Sequence, residues 1–315
     1  MSILNCEKVS DHISNWIKEY IIKNGLKTQI LGLSGGIDSA LVALLCKRNG
    51  LPLICINSPC DSSDSAYNRA KAFADDYGLT LNKIDLTQAH KDIYEQAKSQ
   101  DLYKTDIMYS GQLLQHRAAV GNLKSCLRAP VLNFYSNTYK GLVIGTGNRS
   151  EDNAARYYSK FGDGSVDISP IADLFKSEVY QLFAYLAEDM YHTSHIDKAS
   201  ITSFDEIGLP KMPKSALDIY QAKPTADLWG PDAGQEDEKE LGISYNEIEW
   251  ADREDMKTGI IFNEMDPTKT ENFFVYNSRQ QEVLCKLHQM EKISRHKMNS
   301  NLPVCKVRNL TNWIK

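Results

Sequence analysis

The residues with the clearest chemical meaning lie in one short segment, 32–39, which has the sequence Gly-Leu-Ser-Gly-Gly-Ile-Asp-Ser. Gly35 and Gly36 allow the backbone to approach a ligand closely and to adopt positive φ. A helix that begins directly after them presents free N–H groups and a partial positive charge, which suit a pyrophosphate. Ser34 and Ser39 add hydroxyl donors. The segment therefore predicts a phosphate-binding loop.

The acidic residue of this segment indicates a metal ion and limits the type of phosphate chemistry. Asp38 would repel a phosphate unless a divalent cation lay between them, so the segment itself favours Mg²⁺. The Gly-Lys-Ser/Thr end of a Walker A loop is missing, which argues against γ-phosphate transfer. A simpler interpretation is a strand–turn–helix corner at which Asp38 and Ser39 cap the helix. The position directly after an apolar strand favours phosphate binding.

Short apolar strands alternate with helices along the first half of the chain. The predicted strands cover residues 29–33, 53–56, 79–84 and 141–145. The predicted helices cover residues 13–21, 38–46, 63–77, 113–132 and, near the end, 281–293. This alternation predicts the α/β class, with a parallel sheet and helices on both faces. The loops that follow the strands then share one edge of the sheet, where small ligands bind.

Composition and charge exclude several classes of protein. The chain has 315 residues, of which 42% are hydrophobic and 24% charged, as is typical of globular proteins. The net charge of −5 argues against a nucleic-acid partner, and the longest apolar run, 40–46, is too short for a membrane helix. No secretory signal is recognisable, and the seven cysteines form no C-x-x-C pair. We therefore expect a cytoplasmic protein without a membrane or nucleic-acid partner.

The character of the sequence changes near residue 200, where prolines and acidic residues accumulate. Seven acids and one lysine fall between residues 232 and 249, and the simplest interpretation of this run is a solvated loop. We find no internal repeat. The sequence therefore predicts a single domain, 1–315, with a loop-rich extension at 198–280.

Together with the loop, five later segments resemble the NAD synthase family. They are residues 145–151, 160–167, 224–228, 240–245 and 295–297. The loop alone is typical of the wider superfamily of N-type ATP pyrophosphatases (PP-loop enzymes), which split ATP into AMP and pyrophosphate. The segments occur in order from about residue 13 to the C-terminus, so the resemblance is more specific than the loop.

The resemblance implies a fold, a reaction and partners. The fold would be adenine-nucleotide alpha-hydrolase-like and Rossmann-type. The reaction would be the ATP-dependent amidation of deamido-NAD by ammonia through an acyl-adenylate, which gives NAD, AMP and pyrophosphate. Family members form homodimers, so we expect one here. The chain is too short to hold a glutaminase domain as well, so ammonia would be free or come from a separate glutaminase partner.

The resemblance also implies roles for individual residues. Asp38 and Lys176 would be catalytic, and Asp38 and Glu151 would hold Mg²⁺. ATP would be bound by Gly32, Leu33, Ser34, Gly35, Gly36, Ile37, Asp38, Ser39, Thr146, Lys176 and Thr225. The deamido-NAD side would be bound by Lys160, Asp167, His296 and Lys297. Taken singly, Glu151 and Lys176 are more simply interpreted as residues in the first turn of a helix, and only their joint order beside the loop favours the functional interpretation.

The sequence departs from the family pattern around the acyl substrate. The family motif N-x-x-A-R-x-R corresponds to residues 122–128, in which Cys126 replaces the first arginine, a ligand of the deamido-NAD side. A thiol cannot donate a charged bidentate pair, although Lys124 or Arg117 lies close enough in sequence to substitute. The stretch 151–160 is also one residue longer than in the family, and 253–277 is longer than in bacterial members. These changes leave the identity of the acyl substrate open.

Three alternatives therefore accompany the main hypothesis. A related PP-loop ligase could adenylate and amidate a different carboxylate, which Cys126 favours. A tRNA-modifying enzyme could use the same loop, but the negative net charge and the lack of a C-x-x-C pair argue against it. A nucleotide-binding module without catalysis is disfavoured because Asp38, Glu151 and Lys176 are all present.

Overall fold

A parallel sheet forms the centre of the computed structural model, which describes residues 4–99, 110–194, 212–225, 236–261, 267–269, 271–298 and 305–307. The strands are β1 (Thr28–Gly32), β2 (Leu53–Asn57), β3 (Leu81–Lys83) and β4 (Gly141–Ile144). Their order is β3-β2-β1-β4, and Ile30 of β1 pairs with Ile54 of β2 and Val143 of β4. Each predicted strand is present, and the predicted α/β class is confirmed.

Helices cover both faces of this sheet. Their bounds are α1 (Cys6–Lys23), α2 (Ile37–Arg48), α3 (Asp64–Asp76), α4 (Thr87–Ser99), α5 (Ser110–Tyr139), α6 (Lys176–Ser194), α7 (Lys214–Gln221), α8 (Asp237–Leu241), α9 (Tyr245–Thr258) and α10 (Ser278–Ser294). Successive strand residues face opposite sides. Leu31 belongs to the core formed with α1, α2 and α6, whereas a Cβ on Gly32 would lie 3.6 Å from Leu132 of α5.

Helix α2 holds the predicted phosphate-binding loop in place. Residues 40–46 are fully buried, because α2 is packed against the sheet and against α1, α6 and α7. A helix that is apolar on all sides belongs in the interior of a protein. Its first turn is therefore fixed at the edge of the sheet. Within the described ranges, no helix combines the length and the apolarity that a membrane crossing requires.

Helix α5 is longer than the sequence predicts. Gly121 and Pro130 were expected to interrupt a helix over 113–132, but α5 continues through Pro130 to Tyr139. Pro130 is exposed, while the adjacent Ala129 is buried and α5 packs against β1 and β4. Burial of this face outweighs the loss of one helical hydrogen bond at the proline. Helix α4 was not predicted.

The described part of 198–280 is more helical than the predicted loop-rich extension. It includes α7, α8 and α9, and the acidic run is not simply a solvated loop, because Asp237 and Glu249 are buried. Ile248 and Ala251 join residues of α8, α10 and the 149–155 turn in a second hydrophobic cluster. The many acids obscure this helical spacing in the sequence. The division of the chain into domains stays a prediction.

The N-terminus of α9 makes a testable contribution to stability. Ser244 and Glu247 form a capping box, and the Arg279 guanidinium contacts the Glu247 carboxylate at 2.7 Å. The hydrogen bond from Arg279, helped by those from Ser244, lowers the pKa of Glu247 to about 2.

We expect Glu247→Gln to lower the free energy of unfolding at pH 7 by less than about 1 kcal/mol, because the pair is solvent-screened. A lowered carboxyl pKa stabilises the fold above the unfolded value, near 4.5, and this contribution disappears as the pH falls towards 2. Urea unfolding should show that the difference in the free energy of unfolding between variant and wild type is smaller at pH 3 than at pH 7. A difference that grows on acidification would contradict the assignment.

Candidate active site

The chain changes direction across the sheet between β1 and β4. From β1 the sheet continues on one side through β2 and β3, whereas β4 lies on the other side of β1. The loops that leave β1 and β4 therefore diverge and open a crevice at the carboxyl edge, where α/β proteins bind ligands. The 33–36 loop and residues 146–147 contribute to its two sides. Of these, residues 33–36 and Thr146 were predicted to bind ATP.

The 33–36 loop has the backbone geometry expected of a phosphate-binding turn. Gly35 has φ of 89°, and a Cβ there would lie 2.2 Å from the carbonyl oxygen of Ala66 in α3. Gly36 is the N-cap of α2 and has no side chain to occupy the first N–H groups of that helix. The hydroxyls of Ser34 and Ser39 lie 3.0 Å apart, and Ser39 also donates to the carbonyl of Gly36. The loop is thus preformed for an anion at the α2 N-terminus.

Lys176 brings the two predicted metal-binding carboxylates together. Its Nζ donates to Asp38 Oδ2 at 2.6 Å and to Glu151 Oε1 at 2.8 Å. Its side chain is only 4% exposed, and those of Asp38 and Glu151 are 18% and 19% exposed. Residues 38, 151 and 176, to which the family resemblance gives functional roles, therefore form one ion cluster beside the loop.

The electrostatics of this cluster keep Lys176 charged. Burial alone would lower the pKa of Lys176, but the carboxylates of Asp38 and Glu151 outweigh burial and raise it above the ordinary value. Burial likewise opposes ionisation of Glu151, yet the ammonium of Lys176 and the Tyr245 hydroxyl lower its pKa. Two carboxylates and one ammonium leave a net negative charge, which favours binding of a further cation.

Two residues to which the sequence analysis gave no role hold this cluster in position. Asn148 donates from Nδ2 to Asp38 Oδ1 at 2.9 Å, while its Oδ1 caps the N–H of Glu151 at 3.1 Å. The hydroxyl of Tyr245 donates to Glu151 Oε1 at 2.6 Å and lies 3.1 Å from Asp237 Oδ2. Both residues lie inside the segments that resemble the family, but nothing in those segments indicates which carboxylate they contact.

The turn that carries Glu151 is a π-helix, Arg149–Ala155. Such turns contain one more residue than an α-helical turn and are frequent at functional sites. The predicted extra residue in 151–160 is consistent with this geometry. The ideal Cβ position of Gly147 lies 1.8 Å from Asp152 Oδ2, so the carboxylate of Asp152 occupies the space that a side chain at 147 would need.

The other predicted site residues divide into two groups around a cavity of about 770 Å³. Thr146, Thr225 and Lys297 line the cavity, as do the loop residues Gly32, Leu33, Ser34, Gly36, Ile37, Asp38 and Ser39. Two other predicted residues, Lys160 and Asp167, are not among the residues that line the cavity. The Nζ of Lys160 lies 5.7 Å from the centroid of the Phe161 ring, and the carboxylate of Asp167 accepts from the N–H of Val143 at 2.7 Å. The side chain of His296 lies outside the described residues.

Cys126 contacts neutral side chains and is not among the described residues that line the cavity, whereas Arg128 on the same helix does line it. The Sγ of Cys126 lies 3.5 Å from Ser159 Oγ and 3.7 Å from Asn122 Nδ2. Lys124 does not replace the missing arginine, because its buried ammonium is directed to Asp61 at 3.4 Å. The side chain of Arg117 lies outside the described residues.

The carboxylates fit a hard divalent cation that is shared with a nucleotide. Mg²⁺ is commonly held by one or two carboxylates together with substrate phosphates. Asp38 and Glu151 provide such a pair, and their separation is small enough for both to contact one ammonium. Within the described ranges, no group of three or more His, Cys, Asp or Glu residues could bind a metal on its own. Water and, when nucleotide is bound, phosphate oxygens would complete the coordination of a Mg²⁺ held by this pair.

Comparison with known proteins agrees with this geometry. A family model described as NAD synthase matches residues 9–301. The NH3-dependent NAD⁺ synthetase of Archaeoglobus fulgidus is 34% identical over 255 residues, which cover 78% of this chain and 83% of that protein.

Solved structures extend the likeness to almost the whole chain. The NMN synthetase of Francisella tularensis has a TM-score of 0.67 and 25% identity, with coverage of 95% of this chain and 98% of that chain. The NH3-dependent NAD synthetase of Campylobacter jejuni has a TM-score of 0.61 with 94% and 98% coverage, and at 20% identity it supports the fold alone. The resemblance seen in the sequence is confirmed, and the chain belongs to the NAD synthase family.

Proposed function

We propose that this protein amidates deamido-NAD with ammonia and consumes ATP through an acyl-adenylate. The observation that carries this proposal is the cluster of Lys176, Asp38 and Glu151 beside the glycine loop. The family and the names of relatives such as the Archaeoglobus fulgidus protein support the same reaction.

In the first step the nicotinate carboxylate attacks the α-phosphorus of ATP. A carboxylate-oxygen–phosphorus bond forms, and the bond from Pα to the bridging oxygen breaks, so that pyrophosphate leaves with the electron pair. The 33–36 loop and the α2 N-terminus bind the departing pyrophosphate. Lys176 offsets the repulsion between the two anions as they meet, because its ammonium stays protonated.

In the second step ammonia attacks the carbonyl carbon of the acyl-adenylate. A carbon–nitrogen bond forms, AMP leaves with its oxygen, and the nitrogen gives up a proton to solvent. Buried side chains around the site, including Tyr245 and Asp237, limit competition by water.

A magnesium ion is part of this proposal. Asp38 and Glu151 would hold it together with the phosphates of ATP. When bound, it supplies positive charge that stabilises the leaving pyrophosphate. Asn148 keeps Asp38 oriented for this task, since its side chain bonds to Asp38 and to the backbone of Glu151.

The remaining predicted contacts and partners are also proposals. Thr146 and Thr225 contact ATP, and Lys160, Asp167, His296 and Lys297 contact the acid substrate. We propose a homodimer, and sedimentation velocity tests this oligomeric state directly. In such a dimer, Lys160 and Asp167 of one subunit would reach a site shared by the two subunits. Ammonia is free or comes from a separate glutaminase.

A second candidate substrate is nicotinate mononucleotide. The likeness to the Francisella tularensis NMN synthetase, at a TM-score of 0.67, favours it. The acyl substrate is also the part of the reaction that the departures from the family pattern, such as Cys126, leave open.

One assay separates these possibilities. Incubation with ATP, Mg²⁺, ammonium and deamido-NAD should give AMP, pyrophosphate and NAD in equal amounts. Nicotinate mononucleotide tested in parallel should be turned over at least about tenfold less efficiently, which corresponds to 1.4 kcal/mol of discrimination. The opposite ratio would assign the second substrate, and release of ADP in place of AMP would contradict both.

A further inference from the structure

Arg156 has an unusual backbone conformation for its residue type. It ends the π-helical turn Arg149–Ala155 in the left-handed region, with φ 55° and ψ 28°. This region is unfavourable for residues with a side chain, and helix ends that adopt it usually carry glycine. A backbone outlier of this kind suggests that the side chain has a specific use at the site.

The backbone around Arg156 is tied to the catalytic cluster. The N–H groups of Arg156 and Tyr157 both donate to the carbonyl oxygen of Glu151, the latter at 2.9 Å. The side chain of Glu151 in turn accepts from Lys176. The position of Arg156 is therefore fixed relative to the carboxylates that face ATP.

Arg156 is buried, with 7% exposure, and lines the same cavity as the glycine loop. Its charged neighbours include Glu291, Asp252 and Asp152. Asp152 follows Glu151 directly in the π-helical turn, and Arg156 therefore lines the cavity close in sequence and space to the carboxylates that face ATP.

Arg156 is suited to bind an anion on this part of the wall. Lys297, the neighbouring cation, also lines the cavity, and its ammonium fixes the loop that carries Arg156 by donating to the carbonyl oxygens of Arg156 at 2.9 Å and Tyr158 at 2.6 Å. On the α5 side, Lys124 is directed to Asp61, and the guanidinium of Arg128, which also lines the cavity, donates to the carbonyl oxygen of Ser58 at 3.3 Å. A guanidinium offers the planar, bidentate geometry that phosphate requires.

We infer that the Arg156 guanidinium binds a phosphate of the acid nucleotide whose carboxylate is activated, an inference that rests on the proposed function. The carboxylate must reach the ATP side of the cavity, so the phosphate extends towards Arg156. Both candidate substrates carry a phosphate on the nicotinate riboside, and the inference applies to the one that is turned over.

Arg156→Gly tests this inference because glycine relieves the left-handed conformation while removing the guanidinium. We expect KM for the acid nucleotide to rise about 10- to 100-fold, the equivalent of one or two charged hydrogen bonds, with KM for ATP changed less than about twofold. Arg156→Lys should recover part of the loss. Nicotinate riboside, which has no phosphate, should be turned over equally by wild type and Arg156→Gly.

Lys140→Gly is the matched control. Lys140 has φ of 50°, is exposed and lies outside the cavity, so this variant should have unchanged kinetics and a melting temperature raised by about 2 °C. If Arg156 only neutralised Glu291 and Asp252, Arg156→Gly would melt lower than wild type and KM for the acid nucleotide would not change selectively. That outcome, or an equal loss with nicotinate riboside, would overturn the inference.

Wild-type kinetics separate this inference from the proposed function. If wild type turns over neither deamido-NAD nor nicotinate mononucleotide, the proposed function is wrong. If wild type is active and Arg156→Gly has the same KM for its acid nucleotide, the function stands and the role of Arg156 is wrong. Calorimetric titration of either nucleotide into the two proteins gives the same comparison without turnover.

Discussion

Lys176→Met is expected to reduce AMP release by about 10²- to 10³-fold, because it removes the ammonium that faces both anions during adenylation. It should also destabilise the fold by about 3–5 kcal/mol, since the side chains of Asp38 and Glu151 lose the cation that compensates them. Initial rates of pyrophosphate release and urea unfolding measure the two effects.

Lys71→Met is a matched control for this substitution. Lys71 also forms an ion pair, with Asp75, but its side chain is 47% exposed. Solvent screens such pairs, so its removal should change stability by less than about 1 kcal/mol and leave AMP release unchanged. A Lys176→Met enzyme with near wild-type turnover would exclude the proposed catalytic role, whatever its stability.

Added Mg²⁺ should distinguish the electrostatic cause of this instability from a packing defect. A divalent cation can replace the lost ammonium between Asp38 and Glu151. We therefore expect millimolar Mg²⁺ to raise the unfolding midpoint of Lys176→Met more than that of wild type. An equal shift in both proteins would indicate that the carboxylates do not hold the ion.

Gly35→Ala is expected to have the second largest effect. The new Cβ would lie 2.2 Å from the backbone carbonyl oxygen of Ala66, and the residue would keep a φ of 89°. Backbone strain and overpacking together should cost about 3 kcal/mol. Because the loop or α3 must shift, KM for ATP should rise as well; a folded variant with unchanged ATP kinetics would contradict the role of the loop.

Gly25→Ala separates strain from steric overlap. Gly25 also has positive φ, 69°, but among the described residues none beyond its two chain neighbours has an atom within 4 Å of its ideal Cβ position. Gly25→Ala should therefore lower the free energy of unfolding only by the cost of a left-handed backbone, about 1 kcal/mol, and leave the ATP kinetics unchanged. Thermal unfolding of the two variants beside wild type tests the difference.

The strands and half of the ten described helices were predictable because their signals are local. Apolar runs such as 53–56 form buried strands, and 40–46 is apolar on every side, as an interior helix requires. The errors occur where packing competes with local signals. Pro130 was expected to interrupt a helix over 113–132, yet burial of its neighbours against the sheet keeps α5 intact as far as Tyr139. Helix α9 was missed because acidic residues such as Glu249 occupy buried positions where an apolar residue is expected. Glu249 is buried because it accepts hydrogen bonds from the N–H and the hydroxyl of Ser177.

The site was predictable only in part, for the same reason. Glu151 and Lys176 were selected through the family resemblance and not through any local pattern. Asn148 and Tyr245 received no role, because their partners are 110 and 94 residues away in sequence. Separation of this size carries no periodic signal, so only a folded structure reveals the contact.

The amino-acid sequence by itself determined the alternation of strands and helices and the glycine loop, because backbone freedom and apolar spacing act over a few residues. The tertiary structure decided which charges meet. Lys176 lies between Asp38 and Glu151, Lys124 faces Asp61 and not the cavity, and Arg156 lines the cavity wall. These contacts join segments far apart in the chain, and the electrostatic energy of a buried charge depends on partners that only the folded sheet and its crossovers bring within a few ångströms.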